Sequence, residues 1–114
     1  MNNRPSPLVL PSAPVDLVAV AIGGSQVILA WTECGSGGLG FRIERASCNS
    51  PCGSFMEIGE VGPHVNAFRD GSVEPCTTHF YRVHAWNDSG VSSPSNVVEV
   101  TTPQAEPDLP ADKD

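Results

Sequence analysis

Positive charge is scarce in this chain: six Lys and Arg stand against thirteen Asp and Glu, for a formal net charge of -7. That deficit works against binding a phosphate backbone or the anionic face of a membrane. Aromatic residues make up only 6% of the sequence, with a single tyrosine. No apolar run approaches the roughly 20 residues of a spanning helix, and membrane insertion is not expected. Catalytic signatures are missing as well. The sequence has no Gly-x-Ser-x-Gly elbow, no His-Glu-x-x-His and no phosphate-cradling loop, and the three histidines, His64, His79 and His84, are scattered. A chain of 114 residues builds one core and has little room for a deep pocket beside it. A non-catalytic protein without cofactor is therefore expected.

Glycine and proline, at eleven each, are what the chain does have, and they are too many for a helical bundle. Both ends are Pro-rich and lack a hydrophobic period, so residues 1–11 and 104–114 read as linkers flanking a domain at 12–103. The last stretch is acidic, with Glu106, Asp108, Asp112 and Asp114 against Lys113. Met1 is followed by polar residues and proline, which is unlike a signal peptide; a leader, if the parent is secreted, is expected upstream.

Between the ends, turn residues recur at short intervals: Gly23-Gly24, Gly35 to Gly40, Asn49 to Ser54, Gly62-Pro63, Asp70-Gly71, Glu74-Pro75 and Asn87 to Gly90. The segments between them alternate apolar and polar residues. Val27, Leu29 and Trp31 share one face, as do His79, Tyr81, Val83 and Ala85; Phe41 with Ile43, and Leu17 with Ala19, repeat the pattern. Counting Phe55 to Val61, Val65 to Asp70 and Val97 to Thr102 gives seven short strands. An all-β fold of two packed antiparallel sheets is expected.

The strand SQVILAWTE with Trp31, the later segment VEPCTTHFYRVHAWNDSGVSSPSN, the opening PSAPVDLVAV and the closing VEVTTP together resemble a fibronectin type III domain. The resemblance spans about Pro11 to Pro103. It implies a seven-stranded, immunoglobulin-like sandwich in which strands A, B and E form one sheet and C, C′, F and G the other, with Trp31 and Tyr81 buried between them. One departure stands out. The family's tyrosine at the turn into strand F is replaced by His79, whose imidazole is expected to keep that corner in weakened form by donating to a nearby carbonyl.

Four cysteines, Cys34, Cys48, Cys52 and Cys76, suggest an oxidising compartment in a domain this small. In the implied topology Cys34 lies at one end of the sandwich and the other three at the opposite end. A strand of about eight residues separates the ends by some 25 Å, beyond the roughly 7 Å reach of a disulfide, so Cys34 is expected to have no partner within the chain. Bacterial modules of this type often carry a short Cys-bounded loop at the C–C′ turn, which favours Cys48–Cys52; Cys76 with either remains open. Cys48-x3-Cys52 with Cys76-x2-His79 also has ligand types seen in zinc sites, although the family supplies no metal and none is expected.

The resemblance implies a spacer or interaction module of a secreted or cell-surface multidomain protein, of bacterial type, partnered by neighbouring domains of its parent chain. The alternative is a carbohydrate- or protein-binding module. Its candidate surface is the outward face of strand F, where alternation sets Phe80, Arg82, His84 and Trp86 in a row beside Arg42 and Glu44. Flat aromatic faces are what a sugar or a protein ligand stacks on. The family's Arg-Gly-Asp adhesion tripeptide is absent from the F–G turn, which instead holds a glycosylation sequon, Asn87-Asp88-Ser89.

Overall fold

The computed structural model describes residues 9–35, 37–48 and 53–104. It contains eight strand segments: β1 (Val15–Ile22), β2 (Gln26–Thr32), β3 (Gly40–Cys48), β4 (Met56–Val61), β5 (Ala67–Asp70), β6 (Thr78–Asn87), β7 (Gly90–Val91) and β8 (Val98–Thr101). All pairings are antiparallel. One sheet runs β1-β2-β5 and the other β4-β3-β6, with β7 and β8 both on the far side of β6. Among the described residues there is no helix, so none is long and apolar enough to cross a membrane.

Alternation drives this arrangement. Along β2 and β6 every second residue is buried, because a pleated strand turns successive side chains to opposite faces. Val27, Leu29 and Trp31 from one sheet thereby meet Phe41, Ile43, Tyr81, Val83 and Ala85 from the other. Trp31 and Phe41 contact edge to face, with ring centroids 5.5 Å apart, the geometry favoured by the aromatic quadrupole.

The expected last strand is present as β8, and a short additional segment, β7, pairs with β6 ahead of it. Pro94 cannot donate to a ladder, and between β7 and β8 serine hydroxyls take over the pairing. Val83 N–H donates to Ser95 Oγ at 3.0 Å and Ala85 N–H to Ser92 Oγ at 2.9 Å. The main-chain N–H groups of Ser95 and Ser92 donate back to the Val83 and Ala85 carbonyls at 2.8 Å each.

One side chain that alternation does not reveal helps close the sandwich. Asn96 stands in for a neighbouring strand on the free edge of β1: its Oδ1 accepts from Leu17 N–H at 2.9 Å and its Nδ2 donates to Leu17 O at 3.0 Å. This blunts an edge otherwise open to pairing. The pleat is interrupted just before it, where Asp16 adopts a φ of 57° and the β1–β2 register shifts between Val15 and Val18.

Candidate functional site

The outward row on β6 is the one surface that the sequence puts forward for binding. Cross-strand register sets Gly40 opposite Trp86, Arg42 opposite His84, Glu44 opposite Arg82 and Ala46 opposite Phe80. Phe80, Arg82, His84 and Trp86 do share this face, but each is only half-buried rather than open. β3 and Phe55, just before β4, supply the cover. The Arg42 guanidinium lies over the Trp86 ring at 5.1 Å, and that of Arg82 lies over Phe55 at 4.2 Å, both within cation–π range.

Glu44 ties the middle of the row together. Its Oε1 accepts from Arg82 Nε at 2.6 Å and pairs with His84 Nε2 at 3.0 Å, while His84 Nδ1 donates to the Ser92 carbonyl at 2.8 Å. Burial pushes the Glu44 carboxyl upward, but the hydrogen bonds and charges of Arg82 and His84 outweigh it and leave the pKa lowered. This clasp links β3, β6 and the segment just after β7. Two polar atoms of the row, Trp86 Nε1 and Arg42 Nε, are buried without a hydrogen-bond partner.

Gly40 makes the Trp86 position possible. A Cβ there would run into the Val61 carbonyl oxygen and lie 2.8 Å from Trp86 Nε1, so the indole occupies space that any side chain at residue 40 would take.

On the inner side of β6, a buried polar cluster sits where the sequence suggests only a turn. Asp70, at the end of β5, is 3% exposed. Its Oδ2 accepts from Tyr81 Oη at 2.7 Å and from Arg45 Nη1 at 2.7 Å, and its Oδ1 accepts from Ser72 N and Ser72 Oγ at 3.0 and 2.7 Å. Desolvation works to raise the Asp70 pKa, yet the bonds from Tyr81, Ser72 and Arg45 together hold it below the usual carboxylate range. Burial and the facing carboxylate push the Tyr81 hydroxyl far above its ordinary value, so it is a fixed donor. The cluster links both sheets and has the character of a structural tie, since every member is engaged within it.

His79 is 2% exposed. Its Nδ1 pairs with Ser47 Oγ at 2.9 Å, a hydroxyl across the β3–β6 ladder. Nε2 has no partner within hydrogen-bond range. Desolvation lowers the His79 pKa, and the Glu74 main chain and nearby acids oppose this without reversing it. The ring is therefore neutral at physiological pH.

Cys34 and Cys76 are exposed free thiols. Cys48 ends β3, and Cys52, its expected partner, lies outside the described residues. Gly53 N–H donates to Ser47 O at 2.9 Å, which closes the main chain on either side of that loop. Among the described residues no group of three or more His, Cys, Asp or Glu side chains is placed to hold a metal ion.

The fold is that of a fibronectin type III domain, an immunoglobulin-like sandwich with A-B-E and C′-C-F-G sheets. The structure of the FN1-FN3 domains of chicken CNTN1 matches with a TM-score of 0.73 at 17% identity, covering 83% of this chain and 33% of that one. The FN5 domain of Drosophila Lar gives 0.68 at 19% identity, covering 83% of this chain and 99% of that one. In sequence, the cell adhesion molecule DSCAM of rat is 27% identical over 103 residues, which is 88% of this chain and 5% of DSCAM. The chain thus spans about a twentieth of the length of the curated relatives it matches. No family model matches it. These similarities give no support to a bacterial origin.

Proposed function

We propose that this chain is a non-catalytic fibronectin type III module that spaces and orients its neighbours in a secreted or cell-surface multidomain protein. The observation that carries this reading is where the chain enters and leaves the sandwich. At one end of β6, Asn87 Nδ2 donates to the Val9 carbonyl at 2.9 Å. At the other, Thr78 pairs with Thr101, and Thr102 is held by its N–H to Thr77 O at 3.0 Å and its Oγ1 to Glu74 O at 2.6 Å. Entry and exit lie at opposite poles of a ten-residue strand, roughly 30 Å apart at about 3.3 Å per residue. Both are pinned by hydrogen bonds. Such a body transmits orientation along a chain and suits a domain at 12–103 between linkers at 1–11 and 104–114. The extracellular placement is supported by the likeness to a cell adhesion molecule.

The second reading, a binding face along Phe80, Arg82, His84 and Trp86, draws on the unpaired Trp86 Nε1 and Arg42 Nε. The arginine and carboxylate cover over the row favours the spacer. Titration with soluble polysaccharides while following tryptophan emission separates the two. No change is expected up to millimolar sugar; a saturable change that is lost in Trp86→Ala contradicts the spacer reading in favour of the binding one.

The same reading includes a Cys48–Cys52 disulfide across the β3–β4 loop, supported by the Gly53–Ser47 hydrogen bond that brings its flanks together. So short a loop contributes modestly to stability. Thiol titration of the denatured, unreduced chain is expected to find two thiols, those of Cys34 and Cys76. Four would contradict both the bridge and the oxidising compartment.

A further inference from the structure

The segment before β1 is not a free tether where it meets the sandwich. Pro11 is buried. Together with Ser12, Cys34, Gly38, Phe41 and Ala85 it lines a cavity of about 10 Å³, room for no more than one water. Leu10 lies against the turn after β6: a Cβ built on Gly90, whose φ is 137°, would meet Leu10 Cδ2 at 3.1 Å.

Asn87 is the polar centre of this contact. Its Nδ2 spends both hydrogens on main-chain carbonyls, Val9 O at 2.9 Å and Gly37 O at 3.3 Å. Its Oδ1 accepts from Ser89 N–H at 2.8 Å. Asn87 is half-buried and its amide is fully used, although Asp88 beside it is exposed. The same nitrogen is the acceptor atom of the sequon Asn87-Asp88-Ser89.

We propose that Asn87 is a modification-controlled latch: unsubstituted, it holds residues 9–11 against the β6–β7 turn, and an N-glycan on the same nitrogen excludes that docked state. Glycan transfer from a lipid pyrophosphate-linked oligosaccharide forms a bond between Nδ2 and the sugar C1. The C1–O bond to the carrier breaks, one Nδ2 hydrogen leaves as a proton, and the lipid pyrophosphate departs. The substituted nitrogen keeps a single hydrogen. One of the two carbonyls loses its donor, and the sugar occupies the space that carbonyl held. The joint with whatever precedes the module then changes from a stiff strap to a pivot. Asn87 is in this sense a positioning residue, and the glycan step rests on the extracellular placement proposed above.

The test follows ¹⁵N relaxation order parameters of Leu10, Ser12 and Ala13 in the full chain. In unmodified protein from a bacterial host, and in Ser89→Ala, which removes the sequon but keeps the latch, they are expected near 0.8, the range of rigid backbone. In Asn87→Asp, which keeps the acceptor for Ser89 N–H and removes both donors, they are expected below about 0.6. Asn87→Ser serves as a second variant with the same expectation should the aspartate variant fail to fold. Wild-type order in a folded variant overturns the latch. For chain secreted by a glycosylating host, a sugar on Asn87 with a mobile strap supports the exclusion, as does an empty Asn87 with a rigid strap. A sugar with a rigid strap, or an empty site with a mobile one, overturns it. The bacterial arms are independent of secretion: wild-type order in a folded Asn87 variant refutes the latch alone, whereas a mobile strap in the unmodified chain also removes the pinned entry on which the spacer reading rests.

Discussion

Asp70→Ala is expected to destabilise the domain by about 3 kcal/mol, measured by chemical denaturation. The substitution strands the Tyr81 hydroxyl, which sits in a residue with 0% exposure, and removes the partner of Arg45 in a 2.7 Å ion pair. A buried donor left without an acceptor costs more than the bond itself contributes, and here Tyr81, Arg45 and Ser72 all lose the same carboxylate. Tyr81→Phe keeps the ring and removes only one bond, for an expected loss of about 1.5 kcal/mol. Because the two side chains touch, the double variant is expected to lose less than the sum of the single ones. The same carboxylate sets an acid limit. Its folded-state pKa is lowered, so its contribution is fully present above the unfolded value near about 4 and is lost as pH falls through the folded one. Wild type is expected to lose stability below about pH 4, and Asp70→Ala to show a flatter acid limb.

Gly40→Ala is expected to cost a similar amount, about 3 kcal/mol, at the upper end of overpacking effects. One obstacle is the Val61 carbonyl oxygen in the adjacent edge strand and the other is the Trp86 indole. A main-chain carbonyl paired in a sheet cannot swing aside, so the indole has to leave. Stability loss should therefore come with red-shifted tryptophan emission as Trp86 meets water. By contrast, Gly62→Ala, where a Cβ meets nothing within 4 Å, is expected to be nearly silent. Equal effects at the two glycines would contradict the packing described for the β3–β6 face.

Much of this architecture was legible in the sequence because it rests on alternation. Val27, Leu29 and Trp31, and His79, Tyr81, Val83 and Ala85, face inward as a period of two requires, and the turn residues delimit the strands that carry them. The outward direction of Phe80, Arg82, His84 and Trp86 was legible for the same reason. Their cover was not, because it depends on a register that lays Arg42 and Glu44 from a strand about forty residues away across the row. Asp70 escaped notice because an Asp-Gly pair reads as a solvent-facing turn. Only the meeting of β5 with Tyr81 and Arg45 makes it a buried tie. Asn96 likewise carries no local sign of its role, which lies 79 residues away at Leu17. The His79 corner was half legible: its inward direction follows from alternation, and its Ser47 partner follows from the β3–β6 register alone.

The central claim is that the chain enters and leaves a rigid body at opposite poles. Spin labels at Val9→Cys and Pro103→Cys, in a background where Cys34 and Cys76 are changed to serine, measure it directly by pulsed dipolar spectroscopy. A single narrow distribution centred at about 30 Å or somewhat beyond, set by the length of β6, is the expected result. A broad distribution, or one centred well below about 20 Å, would place the ends on one pole or leave them unfixed, and would contradict a spacer.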